Sequence, residues 1–420
     1  MLKIPNDALV SLLFFTFSAV IPMEFFVKMS SAQTLSLAYF AYFAVLGVFV
    51  PYIGLFLDNR GLNSEEIGLL LALVTGMRII GPSLWASLAV KRQDPIGVMR
   101  FGAVLATIGW LTSFYDGGYW PLVAGLALYS LCWTAILPQL ESSAFYYLDN
   151  NTSRYSKVRT AGSVGYIVLV MLGGWWFQHT GPQMLPHSAL LFLLLMLCTL
   201  WLLPKFSLAQ HNDTQPVQFR RLWTHSSFLK FMLGAFFMQM SFAPFYGFFT
   251  LYTRDLGYSG SDAGLLIALA VAAEIVAFYF AGRILQGRSY QKLLGLCYGL
   301  TAVRWLMVAF LADSGLLLSA SMLLHAFSFA IAHSCAMQFI QQFFPPAQRS
   351  RGQALYAGVI YGGGGALGAY AAGIAWQDGA GSAFTFVLGA LCALLSMLLA
   401  LALPKNIQPL KAGAEDKPVA

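Results

Sequence analysis

Charged side chains are scarce in this sequence. Its 420 residues include only 24 Lys and Arg and 17 Asp and Glu, or 10% of the chain. Soluble globular proteins carry roughly 25% charged residues, so this composition excludes an ordinary soluble domain. Residues 160–204 contain none of these four residue types, which leaves room for two membrane-spanning helices of ~20 residues each. With 58% hydrophobic residues, the sequence predicts a membrane protein.

Paired cysteines and the common metal-binding or nucleotide-binding motifs are also missing. The five cysteines stand singly in apolar runs without CxxC spacing, which is typical of small core residues. The sequence has no HExxH pair and no GxxxxGK[ST] loop. We therefore expect no metal, no cofactor and no nucleotide hydrolysis. The net charge of +7 does not indicate nucleic-acid binding, because the basic residues follow a membrane-topology pattern.

Apolar runs separated by loops predict twelve spans in two sets of six. The first set lies at about 35–57, 65–88, 98–115, 120–146, 160–179 and 186–203. The second set lies at about 227–252, 262–284, 293–311, 316–342, 353–376 and 382–404. The fold class expected from this pattern is an all-α membrane protein. The predicted parts are a first half at 31–203, a linker at 204–226, a second half at 227–404 and a tail at 405–420.

Basic residues mark alternate loops. The intervening loops hold only Arg60 and Arg254. By the positive-inside rule, we expect the basic clusters, the linker and both chain termini to lie in the cytoplasm. The clusters are Lys91, Arg92 and Arg100; Arg154 and Lys157; Lys205, Arg220, Arg221 and Lys230; Arg283, Arg288 and Lys292; and Arg349 and Arg351.

Residues 1–30 form an N-terminal extension that fits neither half. Their apolar run at 8–23 is short for a span and resembles a signal-peptide core, yet no small-residue cleavage site follows it cleanly. A thirteenth span would place the N-terminus outside. A translation start at Met29 would remove the difficulty, so we expect residues 1–28 to be dispensable.

Six ionisable side chains lie in or at the edge of the predicted spans. A charge near the bilayer midplane costs at least ~2.5–3.5 kcal/mol, so such residues usually mark a polar pathway. Four of the six lie 9 to 13 residues from the nearest loop, which corresponds to a depth of ~14–20 Å. A buried ion pair would explain any one of them, but four at one depth favour a solvated cavity. The six are Arg78, Glu141, Arg159, Glu274, Arg304 and His325, and the deep four are Arg78, Glu274, Arg304 and His325.

The charges of this set do not cancel. Three arginines face two glutamates, and with histidine neutral the excess of +1 suits an anionic solute. Glu274 is the candidate proton site, because burial disfavours the ionised form of a carboxyl group. Arg304 and His325 are its candidate partners. His333, eight positions after His325, is interpreted as a packing residue.

Two stretches carry a family resemblance. Pro138-Gln139-Leu140-Glu141 and the stretch from Lys157 to Tyr166 resemble the helix four and five signature of the lactose permease branch of the major facilitator superfamily. The resemblance implies that Glu141 and Arg159 contact the solute and that Tyr166 stacks on it. Ala273-Glu274, Val303-Arg304 and Leu324-His325-Ala326-Phe327 are similar to the coupling residues of that branch. Met322 and Ser328 depart from it, since a lysine and a proton-carrying glutamate stand there in the permease.

At Met322, Ser328 and Arg78 the sequence is more similar to the phenylpropionate permease family than to lactose permease. The resemblance covers residues 35 to about 404 and implies a major facilitator fold with twelve transmembrane helices in two six-helix halves. It also implies a permease, expected to be monomeric, that couples uptake of a small organic solute to protons. The charge excess suits an anionic solute such as an aromatic carboxylate, and the resemblance implies phenylpropionate or a similar compound; uptake in a bacterial inner membrane is implied with it.

Other functions remain open at this point. A proton symporter for a sugar or nucleoside would have the same architecture. A non-transporting sensor would need a sizeable soluble output domain, whereas the longest polar stretch is the 204–226 linker. An intramembrane enzyme such as an acyltransferase would need a nucleophile with a base, or a metal site, and no such pattern occurs, so we expect no enzymatic activity.

Overall fold

The computed structural model describes residues 29–149, 151–206, 222, 224–405 and 410, and within them the chain forms helices and no strand. Twelve long helices follow one another in this described part of the chain. Helices α1 to α6 are Ser31–Asn59, Ser64–Arg92, Pro95–Phe114, Tyr119–Tyr147, Thr152–Thr180 and Pro182–Leu202. Helices α7 to α12 are Ser226–Asp255, Gly260–Leu285, Tyr290–Phe310, Gly315–Phe343, 349–376 and Ser382–Leu401.

Each predicted span coincides with one of these helices. Eleven of them are long and apolar enough to cross a membrane. Helix α11, which carries four consecutive glycines at 362–365, falls outside that group but is helical throughout its length. The predicted all-α fold class is therefore confirmed.

Most helices extend beyond their apolar runs because polar residues cap their first turns. Helix α5 begins at 152, well before the predicted span at 160, and the Asn151 side chain accepts a hydrogen bond from the Arg154 N–H. Three other helices begin with a capping box, in which two side chains satisfy free N–H groups reciprocally. The capping boxes are Ser30 with Gln33 in α1, Asn63 with Glu66 in α2, and Ser259 with Asp262 in α8.

Irregular turns interrupt four helices near their middles. Helix α4 is broken between Trp133 and Ile136, and α7 is broken at Phe242, just before Pro244. Helices α10 and α11 contain the π-helical segments Ala326–Ile331 and Ala357–Gly364. Such π-helical turns occur frequently at functional sites.

The two halves pack in equivalent ways. Within the first half α1 packs on α5 and α6, and within the second its counterpart α7 packs on α11 and α12. Between the halves the main contacts join α2 to α11, α5 to α8, and α1 to α7. Because α2 of the first half corresponds to α8 of the second, and α5 to α11, the α2–α11 and α5–α8 contacts are equivalent. This equivalence is expected for a fold built from two related six-helix halves.

The halves touch most closely at one end of the bundle. Gly68 of α2 faces Gly373 of α11, and a Cβ on Gly68 would lie 2.6 Å from the Gly373 Cα. Gly174 of α5 faces Gly260 of α8 in the same way. We call this the closed end; it carries the turns at 60–63, 115–118, 256–259 and 377–381. The opposite end, with the loops at 93–94, 286–289 and 344–348, is called the basic end.

Several predictions fall on residues that the structure does not describe. Residues 1–28, most of the 204–226 linker and most of the 405–420 tail lie outside the described residues. The dispensability of residues 1–28, the domain boundaries and the cytoplasmic position of the termini therefore stay predictions.

Candidate functional site

A buried chain of three polar side chains lies in the second half. The Arg304 guanidinium of α9 is 3.0 Å from His325 Nδ1 of α10, and His325 Nε2 is 3.3 Å from Glu274 Oε2 of α8. A guanidinium has only donors, so Nδ1 must accept and Nε2 carries the hydrogen of the neutral ring. The neutral His325 ring therefore accepts a hydrogen bond from the Arg304 cation and points its own N–H at the Glu274 carboxylate. The structure brings together these three predicted residues.

Arg304 is enclosed by aromatic rings. Its side chain is fully buried, with the guanidinium 4.3 Å from the Trp305 ring centroid and 4.6 Å from that of Phe245. These cation–π contacts replace part of the lost hydration. Ser328, at the position of the permease glutamate, accepts a hydrogen bond from Thr301 at 2.9 Å. Among the described residues, Arg304 has no direct carboxylate partner.

Arg78 lies apart from this chain, on α2 of the first half. It interacts electrostatically with the hydroxyls of Tyr42, Tyr129 and Tyr246, which belong to α1, α4 and α7. Its side chain is exposed and lies within electrostatic range of tyrosines from both halves. The structure shows no ion pair for Arg78 among the described residues, and the Glu274 carboxylate pairs with His325. The excess positive charge expected from the sequence is located on this guanidinium.

Tyr246 connects the two charged regions and was not singled out from the sequence. Its hydroxyl interacts electrostatically with Arg78 of the first half and with Glu274 and Arg304 of the second. The hydroxyl has no hydrogen bond within the described residues. The ring stacks on Phe242 at the break in α7, with centroids 5.6 Å apart. A tyrosine in an apolar span gives no sequence signal, since such residues also line membrane interfaces.

Glu141 and Arg159 form the predicted pair between α4 and α5. Their nearest side-chain atoms, Oε1 and Nε, are 3.8 Å apart, and both side chains are partly exposed. The Arg159 guanidinium also lies over the Phe43 ring of α1, 4.2 Å from its centroid. The pair is loose enough for either side chain to reach a solute.

Tyr166 lies about two turns further along α5 than Arg159 and is half-buried. It interacts electrostatically with Tyr246, Glu274 and Tyr52. This residue of the first half therefore faces the Glu274 chain of the second half. The position is compatible with contact to a solute held between the halves.

His333 packs against Phe329 and also makes a hydrogen bond to a neighbouring helix. Its Nδ1 lies 2.7 Å from the Tyr361 hydroxyl, so a hydrogen bond links α10 to the π-helical segment of α11. The ring of Phe329 is stacked between those of His325 and His333, with both centroid distances at 5.8 Å. Gln239, Phe329, His333 and Tyr361 line a narrow cleft on the basic-end side of His325.

Comparisons with known proteins agree on the type of molecule. The family model described as "MFS_1 like family" matches residues 32–388. This chain belongs to the MFS_1 like family. It is accordingly a multi-pass membrane transporter of small molecules with the major facilitator fold, and not an enzyme.

Two curated relatives of this family match most of the chain. A probable 3-phenylpropionic acid transporter of Escherichia coli (strain K12) is 28% identical over 364 residues, covering 83% of this chain and 92% of that protein. The maltose permease of Geobacillus stearothermophilus is 24% identical over 379 residues, covering 88% of this chain and 94% of that protein. The predicted relation to phenylpropionate permeases is thereby confirmed at the level of the family.

Solved structures show the same fold. The nucleoside transporter NupG superimposes with a TM-score of 0.78 at 14% identity, covering 89% of this chain and 98% of that chain. A D-xylose-proton symporter superimposes with a TM-score of 0.65 at 16% identity, covering 89% and 97%. At these identities the likeness describes the architecture alone.

Proposed function

We propose that this transporter takes up a small organic anion, an aromatic carboxylate such as phenylpropionate, together with protons. The observation that carries the proposal is Arg78. Its guanidinium lies within electrostatic range of tyrosines from both halves and has no ion-pair partner among the described residues. A charge in that position is costly unless something anionic meets it. Since Glu274 pairs with His325, the cargo is the remaining candidate.

The carboxylate of the solute would bind the planar fork of Arg78 through two parallel hydrogen bonds. Tyr246 would donate a further hydrogen bond from α7. The aromatic part of the solute would then lie toward Phe43 and Arg159 on one side and Tyr166 on the other. This arrangement places the solute in contact with both halves, as transport by alternating access requires.

Protons would be coupled through Glu274. While this carboxyl is ionised, it balances the charge of Arg304 through His325. Adding a proton to Glu274 leaves Arg304 without that balance in a region of low dielectric constant, where charges act over longer distances. The interior then becomes more positive and favours an anion. Proton binding and anion binding would thus support each other.

The proposed orientation follows the basic residues. The basic end would face the cytoplasm and the closed end the periplasm, with the protein acting as a monomer in a bacterial inner membrane. The closed-end contacts between α2 and α11 then describe a state that is shut toward the periplasm.

The decisive experiment compares a carboxylate with its amide. In purified protein, phenylpropionate should bind and phenylpropionamide should bind poorly. Arg78→Lys should weaken carboxylate binding by about tenfold or more, because a hydrogen bond to a charged group is worth ~1.5–3 kcal/mol. Arg92→Lys, at the exposed end of the same helix, is the matched control. Equal binding of the acid and the amide contradicts the proposal.

A sugar or nucleoside proton symporter is the second candidate. The Glu141–Arg159 pair, which resembles the lactose permease signature, and the maltose permease relative favour it. In that case Arg78→Lys should have little effect, and Glu141→Gln should abolish binding of the neutral solute.

A further inference from the structure

Two hydrogen bonds at the closed end join a residue of the first half to a residue of the second. Asp378 follows the end of α11, and Ser64 is the first residue of α2. The Asp378 carboxylate accepts a hydrogen bond from the Ser64 N–H at 2.7 Å, and the Ser64 hydroxyl oxygen accepts one from the Asp378 N–H at 3.0 Å. This reciprocal pair joins the second half to the first.

The backbone around Asp378 adopts a conformation that is unfavourable by itself. Gln377 and Asp378 both have φ of 50°, in the left-handed region that side chains disfavour. Such residues persist where their surroundings impose the conformation. Here the turn aims both the N–H and the carboxylate of Asp378 at one residue of the opposite half.

Helix α2 does not need Asp378 for its own stability. Its start is already closed by the capping box of Asn63 and Glu66, which belong to the same half. The Ser64 N–H is nevertheless one of the first-turn donors that no helical carbonyl can satisfy. A carboxylate is well placed there, because the N-terminus of a helix carries partial positive charge. The contact therefore depends on the relative position of the halves and not on the folding of either.

We infer that Asp378 and Ser64 form a latch that holds the closed end shut and must release in every transport cycle. Helices α2 and α11 meet at Gly68 and Gly373, just inside the latch. They cannot separate there while both hydrogen bonds persist. The inference concerns the cycle and does not depend on which solute is carried.

An ion pair also joins the two halves at the closed end, but it is more exposed to water than the Ser64 side of the latch. Asp58 and Arg254 lie 2.5 Å apart between α1 and α7, but both side chains are substantially exposed, at 39% and 49%. Exposed ion pairs are screened by water and salt. In the latch one partner is protected: Ser64 is 4% exposed, whereas Asp378 is exposed, so water competes for these hydrogen bonds from the Asp378 side alone.

The latch can be tested by measuring how far the closed end opens. Spin labels would be attached at Trp120→Cys in α4 and Leu316→Cys in α10, both exposed near this end, after replacement of the native cysteines. Pulsed electron paramagnetic resonance then gives the distance distribution between the halves. We expect Asp378→Ala to raise the long-distance fraction at least threefold, and Ser64→Ala to raise it by less.

Asp116→Ala is the matched control. Asp116 is an exposed carboxylate at the same end, but it pairs with Arg60 of its own half. The long-distance fraction should be unchanged in this variant. An Asp378→Ala distribution identical to that of the unaltered protein overturns the inference, and so does an equal shift on removal of Asp116. If Asp378→Ala does not accumulate in the membrane, Ser64→Ala decides by the same criterion.

Discussion

The Arg304 guanidinium donates to His325 Nδ1, and this contact determines which edge of the imidazole faces Glu274. The hydrogen-bearing Nε2 is left to point at the carboxylate, 3.3 Å away. The orientation of the His325 ring is therefore fixed. Its neutral form fits this position, because one ring nitrogen accepts from the Arg304 cation and the other donates to the Glu274 anion. Substitutions along this chain should separate solute binding from proton coupling.

Glu274→Gln should abolish accumulation of the solute against a gradient and leave solute exchange intact. The amide cannot take up and release a proton, but it preserves the shape of the site. Accumulation and counterflow would be measured in proteoliposomes with an imposed proton gradient. Glu65→Gln, at the exposed start of α2, is the control. Undiminished accumulation in Glu274→Gln removes the residue from coupling.

His325→Gln should retain more coupling than His325→Asn. The Gln amide can reach the position of Nε2 and donate to Glu274, whereas the shorter Asn amide reaches only the position of Nδ1 beside Arg304. We expect the ratio of accumulated to external solute to be several times higher in the Gln variant. Equal ratios in the two variants would show that the hydrogen bond to Glu274 is irrelevant.

Tyr246→Phe should raise the KM for a carboxylate solute by about 3- to 10-fold, which corresponds to one hydrogen bond. Only the hydroxyl is lost, and it has no partner within the described residues, so the protein's stability should not change. Tyr279→Phe, whose side chain is 80% exposed, serves as the control. An unchanged KM in Tyr246→Phe would place the hydroxyl outside the solute site.

Gly68→Ala should keep the closed end from closing. The added methyl carbon would lie 2.6 Å from the Gly373 Cα, so α2 and α11 must move apart. We expect at least a tenfold loss of transport, with increased labelling of a cysteine placed inside the closed end. Gly282→Ala, where nothing lies within 4 Å of the added atom, should transport normally. Normal transport by Gly68→Ala would contradict the close contact.

A reporter enzyme that is active only in the periplasm should be inactive when fused after residue 405. The expectation rests on the basic residues of alternate loops, which the positive-inside rule places in the cytoplasm. A fusion in the 115–118 turn of the closed end should be active. Strong activity at residue 405 would reverse the proposed orientation.

The sequence predicted the helices because each apolar run is long and bounded by polar turns. It also predicted that Glu274, Arg304 and His325 meet, since each lies alone near the middle of its span. The separate position of Arg78 could not be predicted. Helices that are apolar on every side give no periodic signal of which face turns inward. The sequence therefore predicts how deep a charged residue lies in the membrane, but not which face of its helix the side chain occupies.

The two π-helical segments make the halves mechanically unequal. A π-helical turn contains one residue more than an α-helical turn, so converting one into the other rotates the following residues by ~100° and advances them by ~1.5 Å. Helices α10 and α11 carry such segments beside the His333–Tyr361 hydrogen bond, whereas the described residues of α1 to α6 carry none. A π-helical turn that instead moves along its helix rotates only the residues it passes, so the second half can change which side chains line its surface while its helix ends stay in place. The first half has a break in α4 but no π-helical turn within its described residues, so we expect it to move in the cycle chiefly as a rigid body.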